Sequence, residues 1–352
     1  MNKQKKILFV HPSLMGGGAE RVAIALSGYF VSKGHEFTFL LTKDNHIDYE
    51  IPDCVSILKK GSPSLKPIEQ IFLIRKTIKQ IKPDIVISFL PYQNMYTIIA
   101  TWGLSVRIIL SVRNDPMYDF PGNRVLSSIR NFLYSKTSKI VFQTSYQMKE
   151  FPTKVSKNGI CILNPISQNI PMPYEGERRK VITTAGRLED QKNHAMTLHS
   201  FARFHEKHPD YTLEIFGTGS KRRNLEELTN QLNIADCVHF MGFSENSLQA
   251  IRTSALFVMS STFEGLSNAM LEALCMGVPT ICTRCHGGGA EEIIKDGNNG
   301  FLVPINDIDL EFKYMNSIIS NKDISNKISK NGSKLRNMIS LEEIGKQWES
   351  LL

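Results

Sequence analysis

The chain has 352 residues, of which 41% are hydrophobic and 22% charged, and its formal net charge is +8. These proportions are typical of a globular protein and exclude a disordered or fibrous chain, while the length suggests two domains. No apolar run reaches the roughly 18–20 residues that a membrane-spanning helix needs. The positive charge predicts an anionic partner. Because no nucleic-acid-binding motif accompanies it, we do not expect nucleic acid.

Short apolar runs alternate with longer amphipathic segments in two series. The first series predicts strands at 7–10, 37–41, 85–90, 107–111, 140–143 and 161–163, with a helix between the first two that ends at Gly34. The second series predicts strands at 181–185, 213–216, 238–241, 256–259, 280–282 and 301–303. This alternation is typical of β-α-β units in a parallel sheet. The sequence therefore predicts an α/β protein with two doubly wound sheets.

A segment without periodicity separates the two series. Residues 164–173 are rich in proline, which is typical of a linker. We therefore predict an N-terminal domain over residues 1–166, a C-terminal domain over 167–340, and a final helix at about 341–352. Because sheets of this kind bind ligands beyond the carboxyl ends of their strands, we expect a ligand-binding cleft between the two domains.

The segment FEGLSNAMLEA at residues 263–273 places two carboxylates eight residues apart across a loop-to-helix junction. Glu264 is expected in the loop and Glu272 inside the helix, because apolar residues recur at helical spacing after Gly265. Free amides at the start of a helix attract anions. The segment predicts a phosphate site between two acceptors for hydroxyl groups, and the alternative is a capped core helix with two solvated glutamates. The amides concerned are those of Leu266, Ser267 and Asn268.

Other loops after predicted strands are rich in glycine or charge. One carries Arg187 and Lys192, two cations that could hold a phosphate as a fork and as a point charge. Another carries Gly17 and Gly18, whose backbone could approach a phosphate closely, the alternative being a simple tight turn. Such loops at several strand ends are hard to explain by turn chemistry alone. The loops are 16–21, 185–193, 216–220 and 286–292.

In their order and spacing these motifs resemble those of the family-4 retaining glycosyltransferases, which have the GT-B fold. The resemblance covers nearly the whole chain. It implies two Rossmann-like domains that face each other across a cleft. It also implies a UDP-linked sugar donor bound mainly by the second domain, and a C-terminal helix that crosses back to the first domain. The matching segments are Gly17–Glu20, Gly186–Leu188 with Lys192, Glu264 with Glu272, Gly277–Pro279 and Gly288–Glu292.

The resemblance also implies a role for each matching residue. Arg187 and Lys192 would hold the diphosphate and stabilise the leaving group. Glu272 would bind the ribose hydroxyls, and Glu264 would contact the transferred sugar. The base would lie near the end of the third strand of the second domain. The implied donor-binding residues are Gly17, Gly18, Arg187, Lys192, Met241, Gly242, Phe243, Glu264, Leu266, Ser267, Asn268 and Glu272, of which Arg187, Lys192 and Glu264 would be catalytic.

One segment departs from the family pattern. Many relatives place a histidine after the fourth strand of the first domain, where it contacts the sugar, and this chain has Arg113 followed by Asn114. A guanidinium cannot act as a base at neutral pH. We therefore expect Arg113 to contact a phosphate or a sugar hydroxyl, with Asn114 beside it.

The activity implied by the resemblance is transfer of a hexose or N-acetylhexosamine, with retention, to a glycan or polyprenyl-diphosphate-linked acceptor. No cofactor is expected. No Asp-x-Asp pair stands at a strand end to hold a divalent cation, and the run CTRCH at 282–286 has no second ligand pair at zinc-site spacing. Two alternatives stay open: an isomerase resembling the UDP-N-acetylglucosamine 2-epimerases, and a non-catalytic partner subunit that binds a nucleotide-sugar.

Basic and apolar residues alternate in one stretch of the first domain. Such a segment can lie on an anionic membrane, although the pattern also fits a surface helix packed on a sheet. The cysteines mostly lie in apolar stretches, where thiols pack as small hydrophobes, so a reducing compartment is expected. We therefore predict a cytoplasmic protein, peripheral on the inner face of the cell membrane. The basic residues are Lys59, Lys60, Lys66, Arg75, Lys76, Lys79 and Lys82, interleaved with Ile68, Ile71, Phe72, Ile74 and Ile78.

Overall fold

A computed structural model describes residues 4–44, 46–244 and 246–352. The chain divides into two compact units. The first comprises Met1–Ser167 with Ser340–Leu352, and the second comprises Gln168–Ile339. Among the described residues, no helix combines the length and the apolar character needed to cross a bilayer.

The first unit contains a seven-stranded sheet in which all described neighbours are parallel. Its strands are β1 (Lys6–His11), β2 (Glu36–Leu41), β3 (Ser56–Lys59), β4 (Ile85–Phe89), β5 (Arg107–Ser111), β6 (Lys139–Phe142) and β7 (Gly159–Cys161). They lie in the order β3-β2-β1-β4-β5-β6-β7. The helices are α1 (Gly18–Ser32), α2 (Pro67–Ile81), α3 (Pro91–Thr101), α4 (Arg124–Tyr134), α5 (Ser145–Lys149) and α6 (Thr153–Ser156).

The first sheet is buried on both faces, as parallel sheets usually are. On one face, Leu8 and Val10 pack against Ile74 and Ile78 of α2. On the other, the ring of Phe9 lies 4.7 Å from that of Phe89, measured between centroids. Strands that are buried on both faces read as continuous apolar runs, which is why most of them were predictable.

The second unit contains a six-stranded sheet of the same kind. Its strands are β8 (Arg179–Ala185), β9 (Thr212–Phe216), β10 (Val238–Gly242), β11 (Ser254–Met259), β12 (Thr280–Thr283) and β13 (Phe301–Val303), in the order β10-β9-β8-β11-β12-β13. Its helices are α7 (His194–His205), α8 (Arg222–Gln231), α9 (Ser247–Thr253), α10 (Asn268–Cys275), α11 (Gly289–Ile293), α12 (Ile308–Ser320), α13 (Lys322–Ser333) and α14 (Leu335–Met338). The prediction of two parallel α/β units is confirmed.

The last helix, α15 (Leu341–Glu349), packs on the first unit against α1. The hydroxyl of Tyr29 on α1 donates a hydrogen bond to Glu349 at 3.0 Å. Trp348 is fully buried, and its ring centroid lies 5.8 Å from that of Phe89 at the end of β4. The helix is shorter than the predicted segment 341–352, since it ends at Glu349.

Candidate functional site

The order of strands reverses at the centre of the second sheet, between β8 and β11. The loop after β8 spans residues 186–193, and the loop after β11 spans residues 260–267. Connections leave these two neighbouring strands in opposite directions, which opens a crevice at their carboxyl ends. Ligands of open parallel sheets bind in such crevices. Arg187, Lys192 and Glu264 all lie in these two loops.

Gln191 joins the two loops by hydrogen bonds. The backbone amide of Thr262 donates to the carbonyl oxygen of Gln191 at 2.9 Å, and the Gln191 side chain donates to the carbonyl oxygen of Phe263 at 3.0 Å. Nη2 of Arg187 donates to Oε1 of Gln191 at 3.1 Å. Gln191 therefore holds Arg187 against the second loop. Sequence reasoning missed this residue, because its only signal was its place between the two cations.

Lys192 and Glu264 form an ion pair. Their side chains are 13% and 17% exposed, so salt screens the pair less than it would a surface pair. The hydroxyl of Ser261 also donates to the carboxylate of Glu264, at 3.5 Å. The structure thus brings together two of the three residues that the family resemblance marks as catalytic.

The loop after β12 packs against the backbone of Glu264. The Glu264 amide donates to the carbonyl oxygen of His286 at 2.8 Å. Gly287 has a φ of +93°, and a Cβ atom there would lie 1.9 Å from the carbonyl oxygen of Glu264. Only glycine fits this contact, because any side chain would separate the two loops. The glycine-rich turn at 286–292 therefore serves close packing at the crevice.

The loop after β9 packs in the same way against the loop after β8. A Cβ atom on Gly217 would lie 2.0 Å from the carbonyl oxygen of Gly186. The amide of Leu188 donates to the carbonyl oxygen of Thr218 at 2.9 Å, and that of Gly217 donates to Gly242 at 2.8 Å. The end of β10 and the loops after β9, β8, β11 and β12 thus form one continuous row of backbone contacts.

This row of backbone contacts ends at β10, where the residues predicted to lie near the nucleotide base are found. Met241 and Gly242 are the last two residues of β10, and Phe243 follows them. The side chains of Met241 and Phe243 are exposed. Gly242 has a φ of +68°, in the left-handed region that favours glycine.

The start of α10 lies next to Glu264 in the sequence. Ser267 caps this helix, its hydroxyl accepting a hydrogen bond from the amide of Met270. Leu266 and Ser267 are buried, and Asn268 is the first helical residue. Glu272 is only 4% exposed. The segment is therefore a capped core helix, as the alternative had it, but its two glutamates are not solvated, because Glu272 is buried and the Glu264 side chain is only 17% exposed.

A histidine that sequence reasoning did not select begins α7, beside Lys192. His194 is buried, and burial together with the charge of Lys192 lowers its pKa to about 4. The imidazole is therefore neutral at physiological pH and adds no charge to the crevice. Its signal in the sequence was only its place directly after the β8 loop.

The remaining predicted site residues belong to the first unit. Gly17 is the N-cap of α1, and Gly18 is the first residue of that helix. Arg113 lies beyond the end of β5, with its guanidinium carbon 3.7 Å from the centroid of the Phe89 ring. Asn114 follows it, and the carbonyl oxygen of Asn114 accepts a hydrogen bond from Gln147 at 3.0 Å.

Of the two cysteines in the run CTRCH, Cys282 lies in β12 and Cys285 lies two residues beyond its end. Burial raises the pKa of Cys285 to about 12 and that of Cys282 well above its usual range, so both thiols are protonated at physiological pH. Within the described ranges, no three or more histidine, cysteine, aspartate or glutamate side chains are grouped so as to hold a metal ion.

The sequence matches two protein families, one in each half. Residues 16–160 match the family described as Glycosyltransferase Family 4, and residues 167–335 match Glycosyl transferases group 1. Together the two matches extend over most of both units. The motifs discussed above lie within them.

Similar proteins are found in several bacteria. The N-acetylgalactosamine-N,N'-diacetylbacillosaminyl-diphospho-undecaprenol 4-alpha-N-acetylgalactosaminyltransferase of Campylobacter jejuni is 28% identical over 95% of this chain and 94% of its own. A second N-acetylgalactosaminyltransferase of that species, described as acting on a diNAcBac-PP-undecaprenol glycan, is 25% identical over 99% and 98%. An uncharacterized glycosyltransferase of Haemophilus influenzae is 24% identical over 96% of each chain.

Solved structures share the fold at low sequence identity. HepE of Anabaena, solved in complex with UDP, superimposes with a TM-score of 0.83 at 18% identity, over 98% of this chain and 99% of its own. The lipopolysaccharide outer core galactosyltransferase WaaB gives a TM-score of 0.76 at 20% identity, over 98% of each chain. The family matches and these similarities confirm the resemblance inferred from the motifs. The chain belongs to the family-4 glycosyltransferases of GT-B fold.

Proposed function

We propose that this protein transfers a hexose or N-acetylhexosamine, with retention, from a UDP-linked donor to a glycan carried on a polyprenyl diphosphate. The observation that carries the proposal is the Lys192–Glu264 ion pair at the strand-order reversal, with Arg187 fixed beside it through Gln191. The named specificity of the two Campylobacter relatives supports the lipid-linked acceptor, and the UDP complex of HepE supports the donor.

The ion pair suits a donor that brings both phosphate and hydroxyl groups. Lys192 and Arg187 would contact the diphosphate, as a point charge and as a planar fork. The carboxylate of Glu264 would then accept hydrogen bonds from the sugar. Fixed cations of this kind stabilise the charge that develops on the leaving diphosphate, without rearrangement during the reaction.

The proposed chemical step is a substitution at the anomeric carbon of the donor sugar. The bond between the anomeric carbon and the diphosphate oxygen breaks, and a bond from the acceptor hydroxyl to the same carbon forms on the same face. The acceptor proton passes to the departing diphosphate, which becomes the nucleoside diphosphate product. Glu272, inside α10, would bind the ribose hydroxyls in the ground state and the transition state alike.

Arg187→Ala and Lys192→Ala are each expected to weaken UDP binding at least tenfold, because each removes a charge-assisted contact worth about 1.5–3 kcal/mol. Isothermal titration calorimetry measures the effect. Arg223→Ala is the matched control, since Arg223 lies on α8 of the same unit and its side chain is 89% exposed. Unchanged affinity in both variants would contradict the assignment of the donor site.

One assay distinguishes a transferase from an epimerase and from a non-catalytic subunit. A transferase releases UDP from the nucleotide-sugar when a lipid-linked acceptor is added. An epimerase changes the sugar of the donor and forms no glycosylated product with an equivalent amount of UDP. A non-catalytic subunit binds the nucleotide-sugar and does neither. Coupled measurement of UDP release and of lipid-linked product therefore tests the proposal directly.

We propose that the transfer needs no metal ion, because Arg187, Lys192 and the amides at the start of α10 can supply the positive charge. Activity is expected to survive excess EDTA within about twofold. The measurement is the initial rate of UDP release before and after chelation. Loss of activity that magnesium or manganese restores would contradict this part of the proposal.

We also propose that the first unit binds the anionic inner face of the cell membrane. On α2, Ile74 and Ile78 are buried in the core, whereas Ile68 and Phe72 are exposed. Helices α2, α3 and α4 pack side by side, and the other two expose large apolar side chains as well. Lys76 and Lys79 of α2 are also exposed. The exposed apolar residues of this surface are Ile68 and Phe72 of α2, Trp102 directly after α3, and Val125, Ile129 and Phe132 of α4.

Lys76→Glu combined with Lys79→Glu is expected to release the protein from anionic vesicles, because each lysine near such a surface contributes about 1 kcal/mol. Arg75 is left intact, since its guanidinium donates to the carbonyl oxygens of Ala100 and Trp102 at 2.8 and 2.7 Å. Vesicle sedimentation measures binding. Lys322→Glu with Lys330→Glu, in the second unit, is the charge-matched control. Equal binding to neutral and anionic vesicles would contradict the membrane proposal.

A further inference from the structure

The first sheet also reverses its strand order, between β1 and β4. Three side chains stand at the carboxyl ends of neighbouring strands there. His11 ends β1, Phe89 ends β4, and Arg113 lies just beyond β5. The position is the counterpart, in the first unit, of the crevice described above. It is therefore a place where a ligand group can be bound.

The guanidinium of Arg113 is held in a fixed orientation. The guanidinium carbon lies over the ring of Phe89, 3.7 Å from its centroid, and 5.6 Å from the centroid of the Trp348 ring. Nη1 donates to Oδ1 of Asn164 at 2.8 Å. Asn164 also accepts from Gln143, at 2.8 Å. Contacts with two rings and one amide leave the group little freedom to rotate.

The other two nitrogens of Arg113 are buried and form no hydrogen bond with any described residue. Nε and Nη2 make up one edge of the guanidinium, where two parallel N–H groups form a fork that matches the two oxygens of a carboxylate or phosphate. None of the described carboxylates forms an ion pair with Arg113. A buried cation with no counter-charge costs free energy that an anion on this edge would offset.

The neighbouring histidine adds an acceptor and no charge. His11 is fully buried, and burial together with nearby Arg113 lowers its pKa to about 4, so the imidazole is neutral. Nδ1 lies 2.5 Å from the carbonyl oxygen of Ser13 and therefore carries the proton. Nε2 makes no hydrogen bond and lies 4.0 Å from Glu20. It can accept a hydrogen bond from a hydroxyl beside the bound anion.

We propose that the Nε–Nη2 edge of Arg113 binds an oxyanion of a substrate. The inference rests on the proposed function, since the oxyanion would come either from an acidic sugar, as a carboxylate, or from the acceptor, as a phosphate. Both sources present two oxygens to the fork. A neutral sugar hydroxyl offers one oxygen to the two nitrogens and no charge to balance the guanidinium.

Calorimetry on the full chain separates the two sources. One arm compares UDP-glucose with UDP-glucuronate and UDP-galactose with UDP-galacturonate, pairs that differ only in a hydroxymethyl or carboxylate group. The other arm titrates pyrophosphate into protein saturated with UDP. We expect either a preference of at least about tenfold for the carboxylate sugars or saturable binding of pyrophosphate. The effect should be lost in Arg113→Gln and largely lost in Arg113→Lys, which keeps the charge without the fork.

Arg124→Gln, an exposed arginine of the same unit, is the control and should keep the effect of the wild type. The inference is overturned if the wild-type protein binds UDP but shows neither a carboxylate preference nor pyrophosphate binding, or if Arg113→Gln retains either one. The wild-type comparison stands even if the glutamine variant fails to fold. Absence of UDP binding by the wild type would instead contradict the proposed function, so the two failures are distinguishable.

Discussion

Glu264→Ala is expected to lower the turnover number at saturating donor by about a hundredfold or more, equivalent to ~2.7 kcal/mol in the activation free energy. The carboxylate, fixed by Lys192 and Ser261, would act on the sugar where positive charge develops in the transition state. Glu272→Ala is expected mainly to raise the donor KM, because ribose contacts are made equally in the ground and transition states. Initial rates of UDP release across donor concentrations separate the two effects.

Two further variants sharpen this test. Glu264→Gln keeps the shape of the side chain and removes its charge, so it reports the electrostatic part alone. Lys192→Ala leaves the Glu264 carboxylate without its ion-pair partner, and the double variant should cost less than the sum of the single losses. Glu175→Ala, an exposed glutamate of the same unit, is the control. Full turnover of Glu264→Ala at saturating donor would remove Glu264 from the mechanism.

Glu311→Gln is expected to stabilise the second unit at pH 8 by up to ~3 kcal/mol. The side chain of Glu311 on α12 is fully buried, and burial raises its pKa to about 7, against the opposing effect of a 2.8 Å hydrogen bond from Ser260. Because the pKa is higher in the folded state than the usual 4.5, folding favours the protonated form. The stability that this group contributes is complete below about pH 4.5 and is lost as the pH rises through about 7.

Glutamine stays neutral throughout this range. The free energy of unfolding of the variant should therefore not fall between about pH 4.5 and 7, as it does in the wild type. Hydrogen exchange of the amides in α12 and β11 measures the local effect, which the tryptophans at 102 and 348 of the first unit would not report. Glu175→Gln is the control and should keep the pH dependence of the wild type. An unchanged profile in Glu311→Gln would show that the buried carboxyl does not titrate in this range.

The fold was largely predictable because strands that are buried on both faces have continuous apolar sequences. All six strands of the second unit were predicted, with bounds that differ by at most two residues. The missed strand, β3, lies at the edge of the first sheet, and its four residues are only partly buried or exposed. An edge strand buries little, so its sequence carries no clear apolar run.

Lys192 and Glu264 were selected from the sequence because their charges suggest contacts with phosphate and hydroxyl groups, and the structure pairs them. Gln191 could not be recognised, because its role depends on β8 and β11 being neighbours, which only the order of strands in the sheet reveals. Asn164 was placed in a linker, although its side chain fixes Arg113. Glu311 could not be recognised either, because its burial depends on packing against Ser260, which is distant in the sequence.

The contacts that Gly217 and Gly287 make with the neighbouring loops have a consequence for engineering. Each of these glycines leaves room for the backbone of a loop that belongs to a different strand, Gly217 for Gly186 and Gly287 for Glu264. A loop transplanted from a relative would therefore fit only together with the loop it touches. Donor specificity in this enzyme is expected to be exchangeable in matched loop pairs, 186–193 with 217–220 and 260–267 with 286–289, and not one loop at a time.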